Sequence, residues 1–185
     1  MIDDILKDAH HRMDQALTHT RIELAKVRTG RANPELLNGL SIDYYGTMTP
    51  LNQLANITIP DASLISIQPY EKTLIPEIEK AILQSNLSLT PNNNGTAVLV
   101  PIPPLSEERR KELIKHVHQL VEAGRVSVRN VRRDANQHLK ITQTEDHISE
   151  DEIHRAEHEI QLETDDHVKT LGEMQTVKEQ ELIEI

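Results

Sequence analysis

Apolar residues recur at steps of three and four along the start of the chain: Ile2, Ile5, Leu6, Ala9, Met13, Ala16, Thr20, Leu24 and Val27. That spacing predicts an amphipathic helix over residues 2–28 with one buried seam. Gly30 sits where a residue just past a helix end is expected, so it is read as the stop. A second long helix is predicted over 106–144. Ser106 is its N-cap, Glu107 and Glu108 suit its positive first turn, and its seam runs through Leu113, Val117, Leu120, Val121, Val128, Val131, Ala135 and Leu139. A third is predicted over 150–184, opened by the capping box of Ser149 and Glu152. Its seam is Ile153, Ala156, Ile160, Leu171, Met174 and Leu182. Three single-stripe helices bury those stripes by facing one axis, as a three-helix bundle. At 1.5 Å per residue they are roughly 40 to 57 Å long, so the bundle is expected to be a rod.

The intervening segment, 31–105, has a different grammar. It holds all nine prolines: Pro34, Pro50, Pro60, Pro69, Pro76, Pro91, Pro101, Pro103 and Pro104. Short β-type runs at Ser41–Tyr45, Ile57–Ile59, Leu64–Gln68 and Thr96–Val100 lie between turn signals, of which Asn92-Asn93-Asn94-Gly95 is the strongest. Leu74–Gln84 reads as a short helix with Pro76 near its start, where a missing N–H costs little. The fold class expected is therefore α+β. A bundle domain of residues 1–29 and 106–185 carries a small inserted domain at 31–104. The chain crosses between them at 29–34 and 101–105. Gly30 and Ala32 on one side, with Pro101, Pro103 and Pro104 on the other, mark these crossings as hinges, or else as a fixed elbow.

Charge changes this picture. The chain carries a formal net charge of -10, yet residues 107–144 hold nine Lys/Arg against five Asp/Glu. Residues 145–185 hold three against fourteen. Within the basic stretch Arg125, Arg129, Arg132 and Arg133 cluster, and residues three or four apart are neighbours on a helix. A row of guanidinium forks on a rigid helix suits phosphate groups. By helical geometry Arg125 and Arg132 flank the apolar seam, with Arg129, Asn136, Arg133 and Lys140 further round. Arg132 is thus expected at the bundle edge with its stem packed and its head free. The alternatives are a solvated face paired with Glu122 and Asp134, or a basic helix lying against the acidic one. A further reading makes the chain a helical adaptor whose acidic 145–185 helix binds a basic protein.

Composition narrows the chemistry. There is no Trp, no Phe and only Tyr44, Tyr45 and Tyr70 as aromatics, which argues against base recognition by stacking. The absence of Cys removes disulfides, thiol catalysis and Cys-based zinc sites. His154, Glu157 and His158 match the H-x-x-E-H pattern of a zinc peptidase class. No distant third ligand or cleft accompanies them, so metal ligation is not assigned. No P-loop or G-x-G-x-x-G occurs, and GTP hydrolysis is not expected of this chain. The N-terminal M-I-D-D-I-L-K-D lacks a signal peptide's apolar run, and nothing approaches a membrane span. A cytoplasmic protein without cofactor or membrane partner is expected.

Four blocks together resemble the ribosome recycling factor family, over essentially the whole chain. They are V-R-T-G-R-A at Val27–Ala32, Y-Y-G-T-M-T-P-L-N-Q-L-A at Tyr44–Ala55, P-P-L-S-E-E-R-R-K-E-L at Pro103–Leu113 and V-R-N-V-R-R-D-A-N at Val128–Asn136. The chain departs from the family pattern in its histidines, among them His10, His11, His116 and His118. The resemblance implies an L-shaped, monomeric two-domain molecule similar in outline to tRNA, and not an enzyme. It implies binding to the large ribosomal subunit after termination. With elongation factor G, which hydrolyses GTP, the post-termination complex would then be split into subunits. It places the rRNA contacts largely on the basic bundle helix, with Arg132 first, Arg129, Arg133 and Arg125 beside it, and Arg28 and Arg31 touching RNA or fixing the hinge. The small domain and hinge would face the elongation factor.

Overall fold

The structure is a computed structural model and describes residues 1–184. The chain divides into two compact units, Met1–Thr29 with Ser106–Glu184, and Gly30–Leu105.

The first unit consists of three helices: α1 (Ile2–Ala25), α4 (Glu107–Asp146) and α5 (Glu150–Ile183), each packed on the other two. Both sequence-predicted caps form. Ser106 Oγ accepts from the Arg109 amide at 3.2 Å. Ser149 Oγ accepts from the Glu152 amide at 3.4 Å, one half of the expected capping box, while among the described residues the Glu152 carboxylate accepts from the Ser149 hydroxyl at 2.9 Å and not from the Ser149 amide. The buried positions of α4 are Leu113, Val117, Val121, Gly124, Val128, Val131, Ala135 and Leu139. They advance by three and four, the stagger that keeps one seam facing its neighbours. Leu120, placed in that seam by periodicity, is only half-buried. These three helices contain no Phe, Tyr or Trp, and α4 meets both neighbours closely at a glycine. At Gly124 an added Cβ would lie 2.4 Å from Thr20 Oγ1 on α1 and 3.3 Å from Leu171 Cδ2 on α5.

Gly30 is not the stop of α1. The helix ends at Ala25 with Lys26 still right-handed, and the Val27 amide folds back to the Leu24 carbonyl at 3.1 Å. Tightening of the last turn satisfies those carbonyls without a left-handed cap.

Two buried polar residues, Thr164 and His167, escaped the periodicity. His167 is buried on the α5 seam, 7% exposed. Its Nδ1 meets the Glu163 carbonyl at 2.8 Å and its Nε2 meets Asp14 Oδ1 on α1 at 2.8 Å. Both ring nitrogens face acceptors, so the doubly protonated ring satisfies both. Burial pushes the imidazole down, but hydrogen bonds to Asp14 and Glu163 outweigh it and hold the pKa above its ordinary value. The hydrogen bond from His167 holds the Asp14 carboxyl below the usual range, assisted by the nearby His10. His10 in turn contacts Asp14 and Glu163 at 3.2 and 3.3 Å. With its folded pKa raised, the stabilisation from His167 is complete below the unfolded value of about 6.5 and is lost as pH rises through the folded value. The Asp14 contribution is present above about pH 4 and is lost on acidification. His167→Gln is therefore expected to lower the thermal midpoint clearly at about pH 6 and much less at about pH 8. Thermal unfolding at both pH values checks this, and an equal loss at both would refute the charged pair.

The second unit combines a two-stranded hairpin, a four-stranded antiparallel sheet and one longer helix. The hairpin pairs β1 (Ser41–Tyr44) with β2 (Thr47–Pro50). Tyr45 does not extend β1: it and Gly46 have φ of 50° and 85°, the turn geometry that matches strand twist in a two-residue loop. A short helix, α2 (Leu51–Leu54), leads into β3 (Ala55–Asp61). The sheet order is β3, β4 (Leu64–Pro69), β6 (Val98–Pro101), β5 (Asn92–Asn93). Ile65 pairs with Val100 and Ile67 with Val98, all four fully buried. They share one aliphatic cluster with Ile75, Ile78 and Ile82 of α3 (Ile75–Gln84). Asn92 and Asn93, read from sequence as turn, pair with Leu99 and Val98 as an edge strand. The turn itself is Asn94-Gly95, where the Asn94 side chain accepts from the Thr96 and Ala97 amides and Gly95 takes φ 88°.

Candidate nucleic-acid interface

The arginines of α4 are sorted by what their neighbours offer. Val128, Val131 and Ala135 are buried, which fixes the azimuth of everything between them. Arg129, Arg132, Arg133 and Lys140, with the amides of Asn130, Asn136 and Gln137, line an open cleft of about 520 Å³. Four cationic side chains around a shallow hollow present many N–H donors and no carboxylate in its lining.

Arg125 is not among them. Its Nη2 turns to Gln175 Oε1 on α5 at 3.4 Å and its Nη1 to Glu122 at 3.3 Å. The side chain is only 25% exposed. Its backbone stands one turn before Arg129, but Gly172 opens space on α5, and the guanidinium lies within 3.6 Å of where a Cβ would sit there. Arg129 Nη1 reaches the other oxygen of Glu122 at 3.2 Å, and its side chain stays 46% exposed. Glu122 thus bridges two arginines on its own helix. Its carboxyl is held below the usual range, first by the Arg125 hydrogen bond and then by that of Arg129.

The Arg132 head is not free. Its Nη1 donates to Gln161 Oε1 on α5 at 3.1 Å. Arg133 makes no hydrogen bond or ion pair among the described residues. Asp134, the acid nearest both in sequence, turns to α1 and pairs with Arg12 Nη2 at 2.9 Å. The pairing of acidic and basic helices weighed from charge also fails at this stripe. Among the described residues, none of Arg125, Arg129, Arg132 and Arg133 pairs with a carboxylate of α5. The contacts to α5 are made by neutral amides, which leave the positive field intact.

Arg28 does not join this cleft. Helices α1 and α4 run antiparallel, with Thr20 beside Gly124 and Arg12 bonded to Asp134. Arg28, exposed beyond the end of α1, therefore lies toward the start of α4. Arg31 belongs to the second unit. Within that unit the Ala32 amide donates to the Ala62 carbonyl at 2.7 Å, and the Ile102 amide to the neighbouring Ser63 carbonyl at 2.7 Å. Pro101 closes β6 opposite Leu64. Both crossing segments are thus tied to one β3–β4 turn. Gly30 takes φ 74°, and Pro103 and Pro104 are exposed without regular structure.

Among the described residues no three His, Cys, Asp or Glu side chains are arranged to hold a metal ion. His154 of the H-x-x-E-H pattern is exposed and contacts Glu157 at 3.4 Å. No helix is long and apolar enough to cross a membrane among the described residues.

A family model described as ribosome recycling factor matches residues 20–183. The ribosome-recycling factor of Natranaerobius thermophilus is 51% identical over 181 residues, covering 98% of each chain. A solution structure of a ribosome recycling factor superposes with a TM-score of 0.78 at 37% identity, over 100% of this chain and 98% of the other. The T. thermophilus ribosome recycling factor, in a structure with E. coli elongation factor G bound to the E. coli post-termination complex, superposes with a TM-score of 0.66 at 43% identity. That match covers 98% of each chain.

Proposed function

The chain belongs to the ribosome recycling factor family, and on that premise we propose how it works. It binds the large ribosomal subunit after termination and, together with elongation factor G and the GTP which that factor hydrolyses, promotes splitting of the post-termination complex. The observation that carries the reading on this chain is the cationic cleft of α4, with no carboxylate in its lining, on a protein of net charge -10. Arg132, Arg129, Arg133 and Lys140 contact rRNA phosphates, and the scarcity of aromatics favours backbone shape over base stacking. Arg125 contributes charge from the flank, while Arg28 and Arg31 serve other contacts or the crossing segments. The protein acts mechanically in the cytoplasm, without catalytic residues of its own. Residues 29–34 and 101–105 are the hinges through which force from the translocase is transmitted. That role is supported by the positive φ of Gly30 and the prolines at 101, 103 and 104.

Sedimentation with purified large subunits tests the anchor. Neutralising three or four phosphates predicts that log affinity falls with log salt at a slope of roughly -3. A flat response between about 50 and 200 mM salt would point instead to a protein–protein anchor, such as the acidic α5 on a basic protein.

A further inference from the structure

We propose that Gln161 of α5 is the positioning residue for Arg132: it aims the guanidinium into the α4 cleft without cancelling its charge. This rests on the rRNA-binding reading of that cleft. Gln161 Oε1 accepts from Arg132 Nη1 at 3.1 Å, and the other end of the same amide donates from Nε2 to Asp165 Oδ1 at 2.8 Å. The two bonds fix each other. The Asp165 carboxylate can only accept, so the amide nitrogen must face it and the carbonyl oxygen must face the arginine. Gln161 and Asp165 stand one turn apart on α5, so the relay is built on a rigid element.

The chemistry of the acceptor matters. Glu122 holds Arg125 and Arg129 as ion pairs, and an incoming phosphate must compete with that carboxylate. A neutral amide exerts no such competition. It restricts the long side chain, which otherwise loses rotamer freedom on binding, yet leaves the full cationic charge and the remaining guanidinium donors for the ligand. Arg132 is half-buried with its stem beside the seam, so the amide has only the head to orient. Of the four clustered arginines, Arg132 is the one that lines the cleft and is fixed by a neutral partner.

Purified large ribosomal subunits are the probe, with wild type, Gln161→Met, Gln161→Glu, Arg132→Ala and the Gln161→Met/Arg132→Ala double variant compared by sedimentation over a salt series. Methionine keeps the volume but cannot make this bond. Gln161→Met is expected to weaken binding about three- to tenfold, with the salt slope unchanged because the charge remains. Gln161→Glu is expected to weaken it too, with the slope reduced by about one, as an ion pair takes Arg132 out of the phosphate count. In the Arg132→Ala background, Gln161→Met is expected to cost nothing further. Gln161→Met binding like wild type overturns the proposal, as does a loss of the same size in both backgrounds, which marks a separate contact or a folding defect. If Arg132→Ala itself binds like wild type, the rRNA role of that arginine fails first and the proposal falls with it.

Discussion

Arg132→Ala is expected to weaken binding to large ribosomal subunits by about ten- to a hundredfold, the worth of one or two charge-assisted hydrogen bonds. Thermal unfolding should barely move, since the residue sits at the edge of the bundle and its one side-chain hydrogen bond among the described residues is to a half-exposed amide. Arg125→Ala serves as the internal contrast. Its guanidinium is committed to Glu122 and Gln175, so its removal should reduce affinity by no more than about threefold, the effect of a flanking charge. Equal losses for the two variants would mean that field strength alone, and not placement in the cleft, governs binding.

Gly124→Leu is expected to destabilise the helical unit by about 3 kcal/mol or more. A single Cβ at this position already meets Thr20 Oγ1 at 2.4 Å and Leu171 Cδ2 at 3.3 Å. Thr20 is 2% exposed and its hydroxyl donates to the Ala16 carbonyl at 3.0 Å. It cannot swing away cheaply, because a β-branched side chain on a helix has few rotamers. The extra carbons of leucine would have to spread α1 and α5 from α4 along their whole packed length. Urea unfolding reads the effect as a lowered midpoint at unchanged slope. Gly124→Ala supplies a sharper test of the cause. Alone it sets a gain in helix propensity of about 1 kcal/mol against the clash. Combined with Thr20→Ala, which removes the offending oxygen, the gain should be opposed only by the milder approach to Leu171 Cδ2 and the residue-20 Cβ. If Thr20→Ala does not relieve Gly124→Ala, the close approach at this glycine is not what limits packing.

Much of the helical unit is legible because its forces are local or periodic. Ser106 and Ser149 announce their caps through residues three positions away. Burial along α4 follows the apolar steps from Leu113 to Leu139. Legibility fails where a partner is far in sequence. Thr164 and His167 are polar letters in buried positions that the predicted seam leaves out, whereas spacing places Thr20 in its seam. The two threonines bond their own helix at Ala16 and Ile160, while His167 is satisfied by a carboxylate 153 positions away. The small unit is read less well, because a strand such as β2, with exposed Thr47 and Met48, carries little alternation of its own. It is a strand because the Tyr45-Gly46 turn folds it back onto β1.

The sequence by itself determined that this protein has three amphipathic helices, an inserted proline-rich α+β segment and a cluster of arginines beside an apolar seam. Backbone periodicity and charge spacing are properties of consecutive residues, and no partner is needed to state them. Only the tertiary structure decided which of those arginines face the cleft. Gln175 and the space over Gly172 draw Arg125 to α5, Arg12 takes Asp134 away from the stripe, and Gln161 holds Arg132 by a neutral bond. A side chain with several rotatable bonds is aimed by what lies within hydrogen-bond reach. For these residues that means groups brought from helices more than 25 positions away.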